Sequence, residues 1–105
     1  MTTIILTLTS TDKKSIADKI SRKLLNDKLC KCVNIIPNIH SYFVWKKKLH
    51  KSKEWMILIK SKKSSYKKIE VLIKKLHNYE LPEIISININ QGDKDYLEWI
   101  KNENF

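Results

Sequence analysis

The stretch CVNIIPNIHSYFVW, Cys32–Trp45, decides the fold. Its residues are mostly β-branched, aromatic or aliphatic, which favours a strand, and apolar side chains occur on both of its faces. A strand of this length spans about 45 Å, more than a small domain covers with its own sheet. Pro37 cannot donate a ladder hydrogen bond, so it indicates an edge position or a bulge. We therefore predict a long, bent edge strand that partly projects from the domain.

The segments around this strand complete a βαββαβ order followed by a closing helix. Amphipathic spacing predicts the helices, and Asp12 is the expected N-cap of the first. The predicted elements are a strand at residues 3–9, a helix at 13–27, the strand Cys32–Trp45, a polar reversal at 46–53, a strand at 55–59, a helix from Ser64 or Ser65 to 76, a strand at 84–89 and a helix at 96–101. This order is typical of the ferredoxin-like α+β plan, an antiparallel sheet with helices on one face. The whole chain, residues 1–105, is expected to form one domain with a long hairpin between strands two and three.

The chain is strongly basic, with 21 Lys and Arg against 11 Asp and Glu and a net charge of +10. Such a charge attracts nucleic acid, and RNA-binding RRM domains share the βαββαβ order, so an RRM-like basic domain is the alternative function. Two observations make nucleic acid the less favoured partner. Arg22 is the only arginine, whereas base and phosphate recognition favours guanidinium groups. The segment 54–60 also lacks the glycines and stacking aromatics of the RRM sheet.

Other function classes have little support in the sequence. Gly92 is the only glycine, which excludes glycine-rich phosphate loops, and no nucleophile with a base is visible, so we predict no enzyme. No run approaches the roughly 20 apolar residues of a membrane helix, so no membrane partner is expected. The N-terminus has no signal-peptide pattern, which predicts a cytoplasmic location. Cys30 and Cys32 do not form a C-x-x-C motif, and we expect both to be reduced.

Short motifs run in register from Ile4 to Ile100. They are Cys32-Val33-Asn34-Ile35-Ile36-Pro37, Ser41, Trp45, Lys48-Leu49, Glu54, Lys60, His77, Tyr79, Pro82-Glu83-Ile84, Gly92 and Tyr96-Leu97-x-Trp99. Together they resemble the CutA family of divalent-cation tolerance proteins. The resemblance implies a ferredoxin-like subunit in a tight homotrimer, similar in architecture to PII-type regulators. It also implies an association with tolerance of copper and other divalent metals.

Three positions depart from the family pattern. Lys47 stands where the family usually has glycine, so a positive-φ turn there would cost about 1 kcal/mol. Phe43 replaces a tyrosine and lacks its hydroxyl, and Asn78 replaces the proline that usually follows the histidine. The hairpin tip is therefore expected to differ from that of relatives, and no role of the replaced tyrosine hydroxyl or proline is carried over to this chain.

The trimer explains why a long edge strand can be apolar on both faces. An uncovered strand of this kind is an aggregation hazard, and pairing with neighbouring protomers closes its edge. The alternative is a hairpin folded over its own core. We predict an interface formed by the long strand and the closing helix, through Ile35, Pro37, Ser41, Phe43, Trp45, Tyr96 and Trp99.

The candidate metal ligands are His77, Glu83 and Cys32. His77 and Glu83 share one loop, and an imidazole with a carboxylate suits copper or zinc once a third donor arrives. Cys32 offers a thiolate that selects Cu(I), but in this fold it lies at the end opposite the exit of helix two, so it can join His77 only across a subunit boundary. The alternatives are a His77 that complements the helix dipole and a Cys32 that packs as a small apolar residue. With the resemblance, we expect a non-enzymatic metal-binding or signalling module that binds copper or another divalent cation and folds without it.

Overall fold

The computed structural model describes residues 2–105 and has the predicted order of elements. These are β1 (Ile4–Thr11), α1 (Lys14–Asn26), β2 (Cys32–Trp45), β3 (Lys48–Lys62), a 3₁₀ turn (Lys63–Ser65), α2 (Tyr66–Leu76), β4 (Ile85–Ile89) and α3 (Lys94–Lys101). The strands form one antiparallel sheet in the order β2-β3-β1-β4. The α+β, ferredoxin-like prediction is confirmed.

The core lies between one face of the sheet and the helices α1 and α2. Apolar residues recur three or four positions apart along each helix, which aligns them on a single stripe. The fully buried members of the core are Ala17, Ile20 and Leu24 of α1, Ile57 and Ile59 of β3, and Ile69 and Ile73 of α2. Each buried isoleucine or leucine contributes roughly 1.5–3 kcal/mol, so this layer supplies most of the apolar stabilisation of a protomer.

The hairpin between β2 and β3 has a tighter turn than the sequence indicates. Lys46 and Lys47 alone reverse the chain, with φ of 52° and 65°, and β3 begins at Lys48. The prediction of a polar reversal over residues 46–53 is therefore wrong, since residues 48–53 are paired with β2. A two-residue turn with positive φ at both positions matches the right-handed twist of the strands it joins.

A bulge divides the long strand at the predicted place. The register with β3 shifts between Ile36 and Ile39, and Asn38 has φ of 61°. Pro37 lies inside this irregularity, as its missing N–H requires. Because β1 pairs with β3 only from Trp55 onward, residues 39–45 and 48–54 project past the sheet as a two-stranded ribbon. We call residues 39–54 the projecting hairpin; it contributes to a long axis of 44 Å.

The sheet face opposite α1 and α2, here called the outer face, is mainly apolar and partly open, and it also carries Lys60 and Ser10. The paired registers place on it Leu6 and Leu8 of β1, Met56 and Leu58 of β3, and Ile85 and Ile87 of β4. Ile85 and Ile87 are half exposed. The helix α3 contacts β3 and β1, and its Ile100 is buried. No helix within residues 2–105 has the length and apolarity needed to cross a membrane.

The helix starts differ in detail from the predictions. The N-cap position of α1 is Lys13, not Asp12, and it has no side-chain cap. Thr11 Oγ1 instead accepts a hydrogen bond from the Lys13 N–H at 3.2 Å. The closing helix begins two residues early, at Lys94, because the Asp93 carboxylate accepts from the Tyr96 N–H at 3.0 Å and caps it.

Candidate functional site

His77 ends α2 and is held there by three contacts. Its backbone N–H donates to the Ile73 carbonyl at 2.8 Å. Its ring Nδ1 accepts from the Tyr79 N–H at 2.9 Å, and its Nε2 lies 2.7 Å from the Ser10 carbonyl oxygen. A carbonyl only accepts, so Nε2 carries the proton and donates, and the ring is the neutral Nε2–H tautomer. Both ring nitrogens are therefore engaged within one protomer.

A buried carboxylate lies beside this histidine. Glu54 is 4% exposed, and the Tyr79 hydroxyl donates to its Oε2 at 2.5 Å. The Tyr79 and His77 rings are 4.7 Å apart and tilted. Burial, then the hydrogen bond from its hydroxyl to the Glu54 carboxylate, raises the pKa of Tyr79 above its ordinary value, so the phenol stays protonated and donates at neutral pH. The pair satisfies a carboxylate that would otherwise be costly to bury.

Asn78 connects the loop after α2 to the end of β1 through two side-chain hydrogen bonds. Its Oδ1 accepts from Thr11 Oγ1 at 2.6 Å, and its Nδ2 donates to Asp12 Oδ1 at 2.8 Å. The proline that the family resemblance leads us to expect at this position has no amide side chain for either bond. At this position Asn78 therefore provides two side-chain hydrogen bonds, where a proline would provide only a rigid backbone.

These residues form one group, which we call the end cluster: Ser10, Asp12, Glu54, His77, Asn78 and Tyr79. Of the predicted ligands it contains His77 alone. The roles of Glu54 and Tyr79 were missed by sequence reasoning, although both stand in the motifs that carry the family resemblance. The signal available was an acidic residue placed where β3 enters the apolar run Trp55–Ile59, a position that predicts burial with a partner.

Among residues 2–105, the three predicted ligands do not form one donor group. Glu83 is exposed in the loop before β4. Cys32 pairs with Lys60, six residues along β3 from Glu54, which is about 20 Å at ~3.3 Å per residue. Within residues 2–105, no three His, Cys, Asp or Glu side chains come close enough to hold a metal ion. One protomer does not supply a metal centre from its own donors, and a site shared across a subunit boundary stays a prediction.

The two cysteines have different environments. Cys30 is the buried thiol, at 2% exposed, whereas Cys32 is only half buried and its Sγ lies 3.6 Å from Asn34 Oδ1. Burial, then the neighbouring Cys32, raises the pKa of Cys30 to about 12. The packing role considered for Cys32 therefore belongs to Cys30.

A family model described as the CutA1 divalent ion tolerance protein matches residues 5–103. The chain belongs to this family. It is 30% identical to the divalent-cation tolerance protein CutA of Thermus thermophilus over 90% of this chain and 91% of that protein. It is 38% identical to a CutA homolog of Xenopus laevis over 82% of this chain, although the match spans only 57% of that longer protein.

Solved CutA1 structures have the same fold. The CutA1 of Oryza sativa superposes with a TM-score of 0.92 at 31% identity, over 96% of this chain and 93% of that one. The CutA1 of the psychrotrophic Shewanella sp. SIB1 superposes with a TM-score of 0.91 at 34% identity, over 95% and 94%. These matches confirm the family resemblance and the fold that it implied.

The interface residues predicted on β2 lie in different environments. Ile35 packs against the core of its own protomer, Pro37 and Phe43 are exposed, and Ser41 and Trp45 are half buried. Ile35 is itself only partly buried, so all five keep some surface that a CutA neighbour could cover.

The interface residues predicted on α3 form an aromatic pair. The Tyr96 and Trp99 rings stack with centroids 5.8 Å apart, and both side chains keep a large exposed area. The Lys31 ammonium donates to the Trp99 carbonyl at 2.9 Å and lies 4.7 Å from its ring centroid. A cation over an aromatic face fixes the orientation of this pair on the surface.

Proposed function

We propose that this CutA-family protein is a homotrimeric, non-enzymatic divalent-cation tolerance protein that binds copper or another divalent cation at its subunit boundaries. The observation that carries the proposal is the family match over residues 5–103, because that family is described by divalent ion tolerance. The contacts of His77 indicate what a cation bound there would disturb. The cytoplasmic location stays a prediction.

Surfaces that one protomer cannot cover support the homotrimer. An isolated two-stranded ribbon is marginally stable in water, and the projecting hairpin is such a ribbon. Its register partners Val44 and Leu49 are 71% and 74% exposed. The outer face is a second open apolar surface, and apolar surface of this extent typically marks an interface. Neighbouring copies that cover both would form a closed symmetric assembly.

A boundary site would join His77 and Glu83 of one protomer to Cys32 of a neighbour. The roughly 20 Å between Cys32 and the end cluster within one protomer makes a neighbour necessary. Imidazole, carboxylate and thiolate together suit copper or zinc. His77 could offer a ring nitrogen only by giving up Ser10 or Tyr79, so cation binding would release one end of the loop between α2 and β4. Such coupling between ligand and loop is what a signalling-type, PII-like module requires.

The end cluster is poorly suited to catalysis. A general base needs an unprotonated atom that can reach substrate, and both ring nitrogens of His77 are occupied. Tyr79 is protonated, and its hydroxyl is directed to the Glu54 carboxylate. These contacts favour a binding role.

The test is a calorimetric titration of Cu(II) into the native protein and three variants, with the oligomer mass measured on the same samples. We expect saturable binding that weakens at least about tenfold in Glu83→Gln, Cys32→Ser and His77→Gln while the trimer mass persists. Glu80→Gln removes an exposed carboxylate from the same loop and should bind as the native protein does. Equal binding in all variants, or none in the native protein, would refute the boundary site, and a monomeric mass would refute the assembly.

The outer face of the sheet argues against the RRM-like alternative. RRM domains stack bases on aromatic side chains of the sheet, whereas the outer face carries leucine, isoleucine and methionine on its central strands. Retention of single-stranded RNA at moderate salt, unaffected by Cu(II), would reverse this preference.

A further inference from the structure

A basic pocket lies at the end of the protomer away from the end cluster. It is formed by the turn after α1, the end of β3 and the start of α2, and its volume is about 280 Å³. Four lysines and three serines line it: Lys28, Lys31, Lys62, Lys68, Ser61, Ser64 and Ser65. We call this cavity the basic pocket.

Positive charge exceeds negative charge in its walls. The acidic residues that line it are Asp27 and Glu103. Asp27 is already bound to Lys23, which is not a lining residue, at 3.1 Å. Glu103 pairs with Lys62. Lys28 and Lys68 make no ion pair with any residue in the described part of the chain. The pocket therefore has uncompensated positive charge.

Its floor adds hydrogen-bond donors. The hydroxyls of Ser64 and Ser65 precede Tyr66, the first residue of α2, and Ser65 makes no side-chain cap. The first turn of this helix has no acidic residue. The Tyr66 N–H already donates to the Lys63 carbonyl, so this end of the helix adds its dipole to the attraction of the lysines for an anion.

The C-terminal segment already places an anion in the pocket. The exposed Glu103 carboxylate accepts from the Lys62 ammonium, and this contact lowers the pKa of Glu103. Phe105 lies alongside, with Lys31 Nζ 5.1 Å from its ring centroid. A single carboxylate pairs with only one of the four lysines, so a ligand with several anionic oxygens would satisfy the pocket better.

We propose that the basic pocket binds a small oligophosphate and that Glu103 is an internal anion that competes with it. Lysine is a common phosphate ligand and acts as a point charge, which fits a wall of ammonium groups without arginine. The volume is at the lower end for ligand pockets, which favours a small molecule over a polymer. This proposal goes beyond cation tolerance and does not depend on it, since α2 separates the pocket from His77 by 11 residues, about 16 Å.

The experiment is a calorimetric titration of inorganic pyrophosphate into the full chain at low salt. We expect saturable binding by the native protein, weaker binding by at least about tenfold in Lys68→Gln and Lys62→Gln, and tighter binding by several-fold in Glu103→Gln. Lys74→Gln is the matched control, because it removes the same charge from the exposed side of the same helix, outside the pocket. It should bind within twofold of the native protein.

The outcomes distinguish binding in the basic pocket from unspecific attraction of an anion to a positively charged protein. An equal loss in Lys68→Gln and Lys74→Gln, or no saturable binding by native protein and Glu103→Gln alike, would overturn the proposal. Tight binding of single-stranded RNA that pyrophosphate does not displace would instead assign the lysines to a nucleic acid and refute the proposal.

Discussion

At the scale of single residues, the core contains hydroxyls with no partner. Thr7 and Thr9 are fully buried on the helix side of the sheet, and their Oγ1 atoms make no hydrogen bond within residues 2–105. An unsatisfied buried hydroxyl costs about 1–3 kcal/mol, whereas an apolar group of similar shape does not. We predict that Thr7→Val raises the free energy of unfolding by about 1 kcal/mol, measured in urea at one protein concentration.

Thr11 provides the matched control for this prediction. It is equally buried, but its Oγ1 donates to Asn78 and accepts from the Lys13 N–H. Thr11→Val should therefore lower the free energy of unfolding by about 1–3 kcal/mol. Changes of the same sign in both variants would contradict the argument that hydrogen bonding, and not β propensity, decides the effect.

Cys30 makes stability depend on alkaline pH. Its thiol ionises near pH 9.0 in the unfolded chain but near pH 12 in the folded protein. Its contribution to stability is thus fully present below pH 9 and is lost as the pH rises toward 12. We predict that, from pH 8 to pH 10, Cys30→Ala loses about 1 kcal/mol less stability than native protein. Cys32→Ala, which keeps the buried thiol, is the control, and parallel pH profiles for native protein and Cys30→Ala would refute the prediction.

The candidate site shows what the sequence alone can and cannot predict about a functional residue. His77 could be singled out from the sequence because it stands in a family motif at a helix end. The hydrogen bonds of its two ring nitrogens could not be predicted, since one partner is the backbone carbonyl of Ser10, 67 residues away. Whether a histidine can bind a metal depends on such contacts, and only the fold brings them together.

At the scale of elements, β2 was predicted with its observed bounds and β3 was not. The apolar run of β2 carries a strong strand signal, and Pro37 indicates its bulge. The first half of β3, residues 48–54, is polar and mostly exposed in the projecting hairpin. Its more buried side chains, His50, Ser52 and Glu54, are polar, so the segment lacks the apolar alternation that identifies a strand. The turn itself is Lys46-Lys47, without the Asn or Gly that normally indicates a two-residue turn.

That turn is the basis of a prediction for the hairpin. Lys47 has φ of 65°, a region that costs a non-glycine residue roughly 1–2 kcal/mol. Glycine relieves this strain, but it also raises the conformational entropy of the unfolded chain, which offsets part of the gain in stability. Lys47→Gly should therefore raise the free energy of unfolding by about 0.5–1 kcal/mol in denaturant titrations. Lys48→Gly, one residue into β3, should lower it, and a destabilised Lys47→Gly would show that the turn is not strained.

At the scale of the whole molecule, the surfaces left open by one protomer set the expected assembly. The sequence predicted an assembly strand from its length and its two apolar faces. It did not predict the outer face, because which of the isoleucines of β4 share a face with Leu6 and Leu8 depends on the register between β1 and β4. The fold and the proposed oligomer are linked here, since Leu6, Leu8 and Ile87 leave apolar surface on the face opposite the core.

Charge placed on the outer face tests this link directly. Ile87 is 52% exposed in the protomer and pairs with Leu6, next to Ile85 on the same face. If neighbouring copies cover this face, Ile87→Glu buries an unpaired carboxylate at the interface, at a cost of several kcal/mol. We predict that the mass in solution falls from trimer to monomer, measured by light scattering at micromolar concentration. Asn88→Glu adds the same charge one residue along β4, on the face toward the helices, and should leave the trimer intact. A trimer that survives Ile87→Glu would show that the outer face is open in the assembly and would leave the projecting hairpin as the contact between copies.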